Sequence, residues 1–72
     1  MNYKKIKLAV VGVGAMGLKH IDAIKKTKCA ELSAVVDFKE NSFIKKINSN
    51  FYTSIKDMFK FKKIDGVIVA TP

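Results

Sequence analysis

Apolar residues along this chain fall into short runs whose spacing alternates between two kinds. Ile6 to Val11 is nearly continuous in apolar character, which fits a parallel strand covered on both faces. From Ala15 to Lys26 the pattern changes to a helical period. Gly17, Ile21 and Ile24 share one stripe, while Lys19, Asp22, Lys25 and Lys26 point elsewhere. A second strand is predicted over Glu31 to Val36, ending on Asp37, and a shorter helix from Lys39 to Ile47 with Phe43, Ile44 and Ile47 as its buried edge. Asn48, Ser49 and Asn50 close that helix in a loop. Phe51 to Thr53 forms a short third strand. Ser54 and Asp57 then stand at the spacing of a helix start. The third helix carries Ile55, Met58 and Phe59, and the last strand, Gly66 to Ala70, is apolar on both faces.

The order is βαβαβαβ. Right-handed crossovers place the strands as 3-2-1-4, with the first two helices on one face and the third on the other. The predicted fold class is therefore α/β, a partial doubly wound parallel sheet of Rossmann-like form. With 72 residues the chain holds at most one small domain, and domains of that size bury only about 60% of their unfolded surface.

The apolar run of the first strand breaks into three glycines, Gly12, Gly14 and Gly17. In the spacing G-x-G-x-x-G the first glycine permits a tight turn. The second lets backbone approach a pyrophosphate, and the third lets the helix pack closely on the sheet. The helix that begins there points unpaired N–H groups and its positive dipole end at the phosphates, so no charged side chain is needed. Asp37 follows Gly17 by 20 residues, at the end of the next strand. It is placed to accept hydrogen bonds from the adenosine ribose, which favours NAD because a 2′-phosphate would meet its charge. NADP stays open through the nearby Lys39, and a role for Asp37 as a cap of the second helix stays open beside the ribose role.

Charge and composition change this picture little. The net charge is +8, from 14 lysines against six acids, with no arginine. The lysines are dispersed in pairs where helices and loops meet water, and arginine, the usual bidentate reader of guanine and phosphate, is missing. No nucleic-acid partner is expected. Cys29 is a lone cysteine without metal-ligand partners at useful spacing, read as a small buried or half-buried residue. His20 is read as a packing or hydrogen-bonding residue, Met16 and Met58 as packing residues, and Tyr3 and Tyr52 as surface or edge aromatics. The chain shows no signal-peptide pattern and no apolar stretch near the ~20 residues needed to span a bilayer, so a cytoplasmic chain without membrane partners is expected.

Three segments together carry a family resemblance: Ile6 to His20, then Val35-Val36-Asp37, then Asp65 to Pro72 with its terminal Ala-Thr-Pro. Over essentially all its length the chain resembles the start of the glucose-fructose oxidoreductase and inositol dehydrogenase family, Gfo/Idh/MocA. That resemblance implies an NAD(P)-dependent oxidoreductase of sugars, cyclitols or nucleotide-sugars. Hydride would pass between a carbinol carbon and the nicotinamide. It implies that Gly12, Val13, Gly14, Ala15 and Met16 form the pyrophosphate turn with Gly17 behind them. Asp37 would hold the adenosine ribose, and Ala70, Thr71 and Pro72 would line the cofactor groove. It further implies a second α/β domain that carries the substrate pocket and supports homo-oligomers.

The family's Glu-Lys-Pro motif, with its catalytic lysine, has no match in these residues, so no catalytic residue is assigned. The chain is expected to be the cofactor half of an oxidoreductase, inactive alone. A non-enzymatic dinucleotide-binding regulator or scaffold, or a truncated product, is the alternative. The last strand, if left unpaired on its outer side, presents an apolar edge. The isolated 72-residue chain is expected to self-associate; a monodisperse monomer in size-exclusion chromatography with light scattering would refute this.

Overall fold

A computed structural model describes residues 4–47 and 49–71. The order is β1 (Ile6–Val11), α1 (Ala15–Lys26), β2 (Ala30–Val36), α2 (Ser42–Ile47), β3 (Phe51–Tyr52), α3 (Ile55–Phe61) and β4 (Gly66–Val69). The four strands are parallel and lie in the order β3-β2-β1-β4, as the alternation of strand and helix predicts. Tyr3, Asn48 and Pro72, all named from sequence, lie outside the described residues.

Both sheet faces are covered toward the carboxyl ends of the central strands, which is why Ala9 to Val11 and Ala34 to Val36 are apolar at every position. On one face Val10 and Val35 meet Ile21 and Ile24 of α1 and Ile44 of α2. On the other, Ala9, Val11, Ala34 and Val36 meet Met58 of α3. Met58 is completely enclosed, and the predicted stripe Gly17, Ile21 and Ile24 is the buried face of α1.

A bulge adjusts the fit between the two central strands. Leu8 pairs with Leu32 but Ala9 pairs with Ala34, so Ser33 is the extra residue on β2. Leu32 and Val35, three apart, therefore face the same layer, and each later pair on β1 and β2 points the same way. The Asn50 side-chain amide donates to the Ser33 carbonyl at 3.2 Å, so the irregular backbone keeps a partner. At the amino end of the sheet Lys7 and Asp65 join β1 to the start of β4. The Lys7 N–H donates to Asp65 Oδ2 and the Asp65 N–H to the Lys7 carbonyl, both at 2.8 Å.

Several sequence expectations are corrected. The second helix starts at Ser42 rather than Lys39, because Asn41 takes the capping position and accepts the Ile44 N–H through Oδ1 at 2.9 Å. Phe43 is exposed, leaving Ile44 as that helix's buried residue. Ile55 and Phe59 are exposed as well, because a two-turn helix over a narrow sheet presents one side chain, Met58, to the core. Met16 is exposed on the first turn of α1, and Cys29 is exposed in the turn before β2. The third strand stops at Tyr52 and the fourth at Val69, each one residue short of expectation, while β2 begins one residue earlier. Residues of β4 are half-buried apart from the exposed Val69, since β4 has one strand neighbour.

Ser54 starts α3 as its spacing predicts, its hydroxyl accepting the Asp57 N–H at 3.1 Å. Tyr52 stacks on Phe61 with ring centroids 6.3 Å apart. Among the described residues no helix is long and apolar enough to cross a membrane. Replacing Met58 by Ala should lower unfolding free energy by about 2–5 kcal/mol in urea titrations, from lost burial and a cavity. Ser54→Ala should lower it by about 1 kcal/mol.

Candidate functional site

The last ladder bonds of the sheet set the site. The Gly12 N–H donates to the Val36 carbonyl at 2.7 Å and the Ala70 N–H to the Val11 carbonyl at 2.8 Å. These bonds hold the carboxyl ends of β2, β1 and β4 side by side. The chain then leaves β1 through Gly12 at φ 93°, a left-handed conformation that favours glycine. Space imposes the same requirement, since a Cβ on Gly12 would meet Thr71 Cγ2 at 2.8 Å.

The other two glycines differ in what surrounds them. A Cβ on Gly17 would collide with the carbonyl oxygen of Gly12, so the first turn of α1 presses on the backbone of the turn that precedes it. The third glycine is thus required by contact within the turn more than by contact with the sheet; the nearest sheet atom, Val10 Cγ1, is an ordinary 3.7 Å away. Gly14, which caps α1, would place a Cβ with nothing within 4 Å. That space opens into a groove of about 600 Å³ lined by Gly12, Val13, Gly14, Ala15, Met16, Asp37, Phe38, Ala70 and Thr71.

No side chain among the described residues caps the amino end of α1, and its first turn holds no acid. Its leading N–H groups and the positive end of its dipole are left for an anion in the groove. The space over Gly14 and these unclaimed donors fit a pyrophosphate.

Val13 is gripped from the β2–α2 connection. Its N–H donates to Asp37 Oδ2 at 2.9 Å, and its carbonyl accepts from the Asn41 side-chain amide at 3.4 Å. Asp37 Oδ1 accepts the Phe38 N–H, also at 2.9 Å. Asp37 therefore steadies the glycine turn and the residue after itself. Asn41, rather than Asp37, caps α2. Each Asp37 oxygen keeps acceptor capacity beyond its one backbone bond, enough for ribose hydroxyls.

Of the residues named from sequence, Gly12, Val13, Gly14, Ala15, Met16, Asp37, Ala70 and Thr71 meet in this groove, although they come from three separated segments. Gly17 lies beneath the turn and outside the lining. His20 is half-buried on α1, and Lys39 is exposed; neither lines the groove. Phe38 is the lining residue that sequence reasoning missed. Its only signal was an aromatic residue directly after the strand-end acid. Other depressions, lined by Lys5, Lys7, Glu31 and Lys63 among others, lie toward the amino ends of the strands, away from the glycines.

Comparison with known proteins bears on the family and the fold. Residues 6–72 match the model of GFO_IDH_MocA, described as an oxidoreductase family with an NAD-binding Rossmann fold. The chain is 31% identical over 70 residues to the rhizopine catabolism protein MocA of Rhizobium meliloti, covering 94% of this chain and 22% of that protein. It is 32% identical over 78 residues to inositol 2-dehydrogenase of Corynebacterium glutamicum, covering 96% and 22% respectively. Among solved structures it is similar to scyllo-inositol dehydrogenase from Lactobacillus casei with bound NAD(H) and scyllo-inositol. There the TM-score is 0.83 at 27% identity, over 96% of this chain and 22% of that one. The chain thus spans about a fifth of the length of the relatives it matches.

The three glycines should respond differently to substitution in thermal unfolding. Gly14→Ala should leave the melting temperature within a few degrees, as expected for an exposed position with room for a methyl group. Gly12→Ala and Gly17→Ala should destabilise strongly or prevent folding.

Proposed function

The chain belongs to the Gfo/Idh/MocA oxidoreductase family and carries its NAD-binding Rossmann fold, and from that premise we propose that the groove over Gly14 is its dinucleotide site. The pyrophosphate lies over Gly12 to Met16 and takes its hydrogen bonds from backbone N–H groups at the start of α1. Asp37 accepts the hydroxyls of the adenosine ribose. Its negative charge disfavours a 2′-phosphate, so NAD is preferred to NADP. Ala70 and Thr71 form the wall on the β4 side. The observation that carries this reading is the open space at Gly14, facing an uncapped helix end within one groove that also holds Asp37.

The parent activity we propose is oxidation of a carbinol carbon in a sugar, cyclitol or nucleotide-sugar. When bound, the nicotinamide supplies the hydride acceptor. Support comes from the inositol dehydrogenases among the similar proteins. This chain's own residues bind and orient the cofactor. The substrate pocket and the catalytic lysine belong to a second domain, which is also where we place the contacts of a homo-oligomer. On this reading the 72 residues alone bind the dinucleotide without turning over substrate.

Titration calorimetry of the 72-residue chain with NAD, NADH and NADP tests the assignment. Binding of NAD is expected, and its absence in a sample shown to be folded by circular dichroism would refute the reading. Gly14→Val should abolish binding and keep the folded spectrum, because its side chain fills the phosphate space. Asp37→Ala should weaken NAD more than NADP, narrowing the preference between them.

A further inference from the structure

Among the described residues Phe38 joins no core cluster or aromatic pair that accounts for it. It is 85% exposed, the most exposed of the large apolar side chains among the described residues, and belongs to neither core cluster. Phe61, also exposed, at least stacks on Tyr52. Phe38 instead lines the groove beside Asp37, and its backbone is fixed there by the bond from its N–H to Asp37 Oδ1 at 2.9 Å. It is the only aromatic residue in that lining.

The strand order says which part of a ligand meets it. Asp37 and Phe38 follow β2, the glycine turn follows β1, and Ala70 and Thr71 follow β4, in the spatial order β2-β1-β4. A dinucleotide with its pyrophosphate over the central turn therefore has one nucleoside on the β2 side and the other on the β4 side. A ribose bonded to Asp37 carries its base within reach of the next residue along the chain. We propose that Phe38 is the stacking platform for the purine base of the dinucleotide, reading the face of the base rather than its hydrogen-bonding edge. The proposal rests on the dinucleotide assignment of the same groove. Stacking on a ring accepts any purine, because every base has a π-face. The groove-lining side chains on this side include no amide or hydroxyl to read a base edge.

The test compares the wild-type chain with Phe38→Ala and Phe38→Trp, using NAD, ADP-ribose and nicotinamide mononucleotide as ligands. Phe38→Ala should weaken NAD and ADP-ribose by about tenfold or more, the effect of removing one base–aromatic stack. Its affinity for nicotinamide mononucleotide should be unchanged. Phe38→Trp should retain binding. Because the chain has no tryptophan, the new indole can be excited selectively over the two tyrosines; ADP-ribose should quench it and nicotinamide mononucleotide should not. Nicotinamide hypoxanthine dinucleotide should bind the wild type within about threefold of NAD.

Unchanged affinity for ADP-ribose in Phe38→Ala, or an unquenched indole with ADP-ribose bound, would overturn the stacking role and leave the dinucleotide assignment standing. Failure of the folded wild type to bind NAD would overturn both.

Discussion

One contact governs the geometry of this molecule: the first turn of α1 lies against the carbonyl of Gly12, so closely that a methyl group at residue 17 has no room. That approach fixes the angle at which the helix leaves the strand. It keeps the amino end of α1 close to the carboxyl end of β1 and aims its free N–H groups along the rim of the sheet. Gly12 itself is confined by Thr71 from the far side, so the turn is set from both directions. A lengthened turn would carry the helix end away from the rim, and the unpaired donors would face water instead of a groove.

Asp37 belongs to the same arrangement. In a chain read for function it is a ligand-binding acid, yet in the structure its carboxylate already holds Val13 and Phe38. These roles are compatible, since an ionised carboxylate has about four acceptor positions and the two backbone donors use one on each oxygen. A carboxylate tied at two points is also pre-positioned, so little rotamer freedom remains to be lost when a ribose arrives. On the proposed assignment structural support and ribose recognition reside in one side chain, and Asn41 extends that support by linking the Val13 carbonyl to the start of α2.

The parts of the fold that sequence made legible are those where one physical requirement dominates. The bounds of β1 and α1 agree with expectation because the buried carboxyl half of the strand must be apolar, a glycine turn must end it, and the helix after it has a single buried stripe. Strand order followed from the alternation of elements and the hand of crossovers. Less was legible where two requirements compete. The bulge at Ser33 left no mark, because Ala34, Val35 and Val36 after it are apolar and buried on both faces, so their pattern reads the same in either phase. For α2, an asparagine cap displaced a start that helix propensity alone placed earlier. Phe43, Ile55 and Phe59 had the right spacing for burial, but a small sheet has too little area to cover them. The groove was legible to the extent that its residues follow strand ends. Phe38 was not, since exposure of an aromatic side chain is a property of the folded surface and cannot be read from its neighbours in sequence.

On the proposed assignment a basic protein has an anion site without a lysine in it, and the charge distribution explains how. The chain carries +8, yet the one formally charged side chain lining the groove is Asp37, which is negative. Lysines around the surface supply a diffuse field that favours approach of an anionic ligand but weakens with salt and distance. Attraction within the groove is left, on that assignment, to neutral backbone. Fixed N–H groups at a helix end can attract a pyrophosphate without the rotamer freedom of lysine, and a nearby lysine would neutralise the acid proposed to discriminate against a 2′-phosphate. Separating the two proposed jobs, with attraction in the helix end and exclusion in Asp37, requires that the two be held a fixed distance apart. The bond from the Val13 N–H to Asp37 is the direct link that sets that distance.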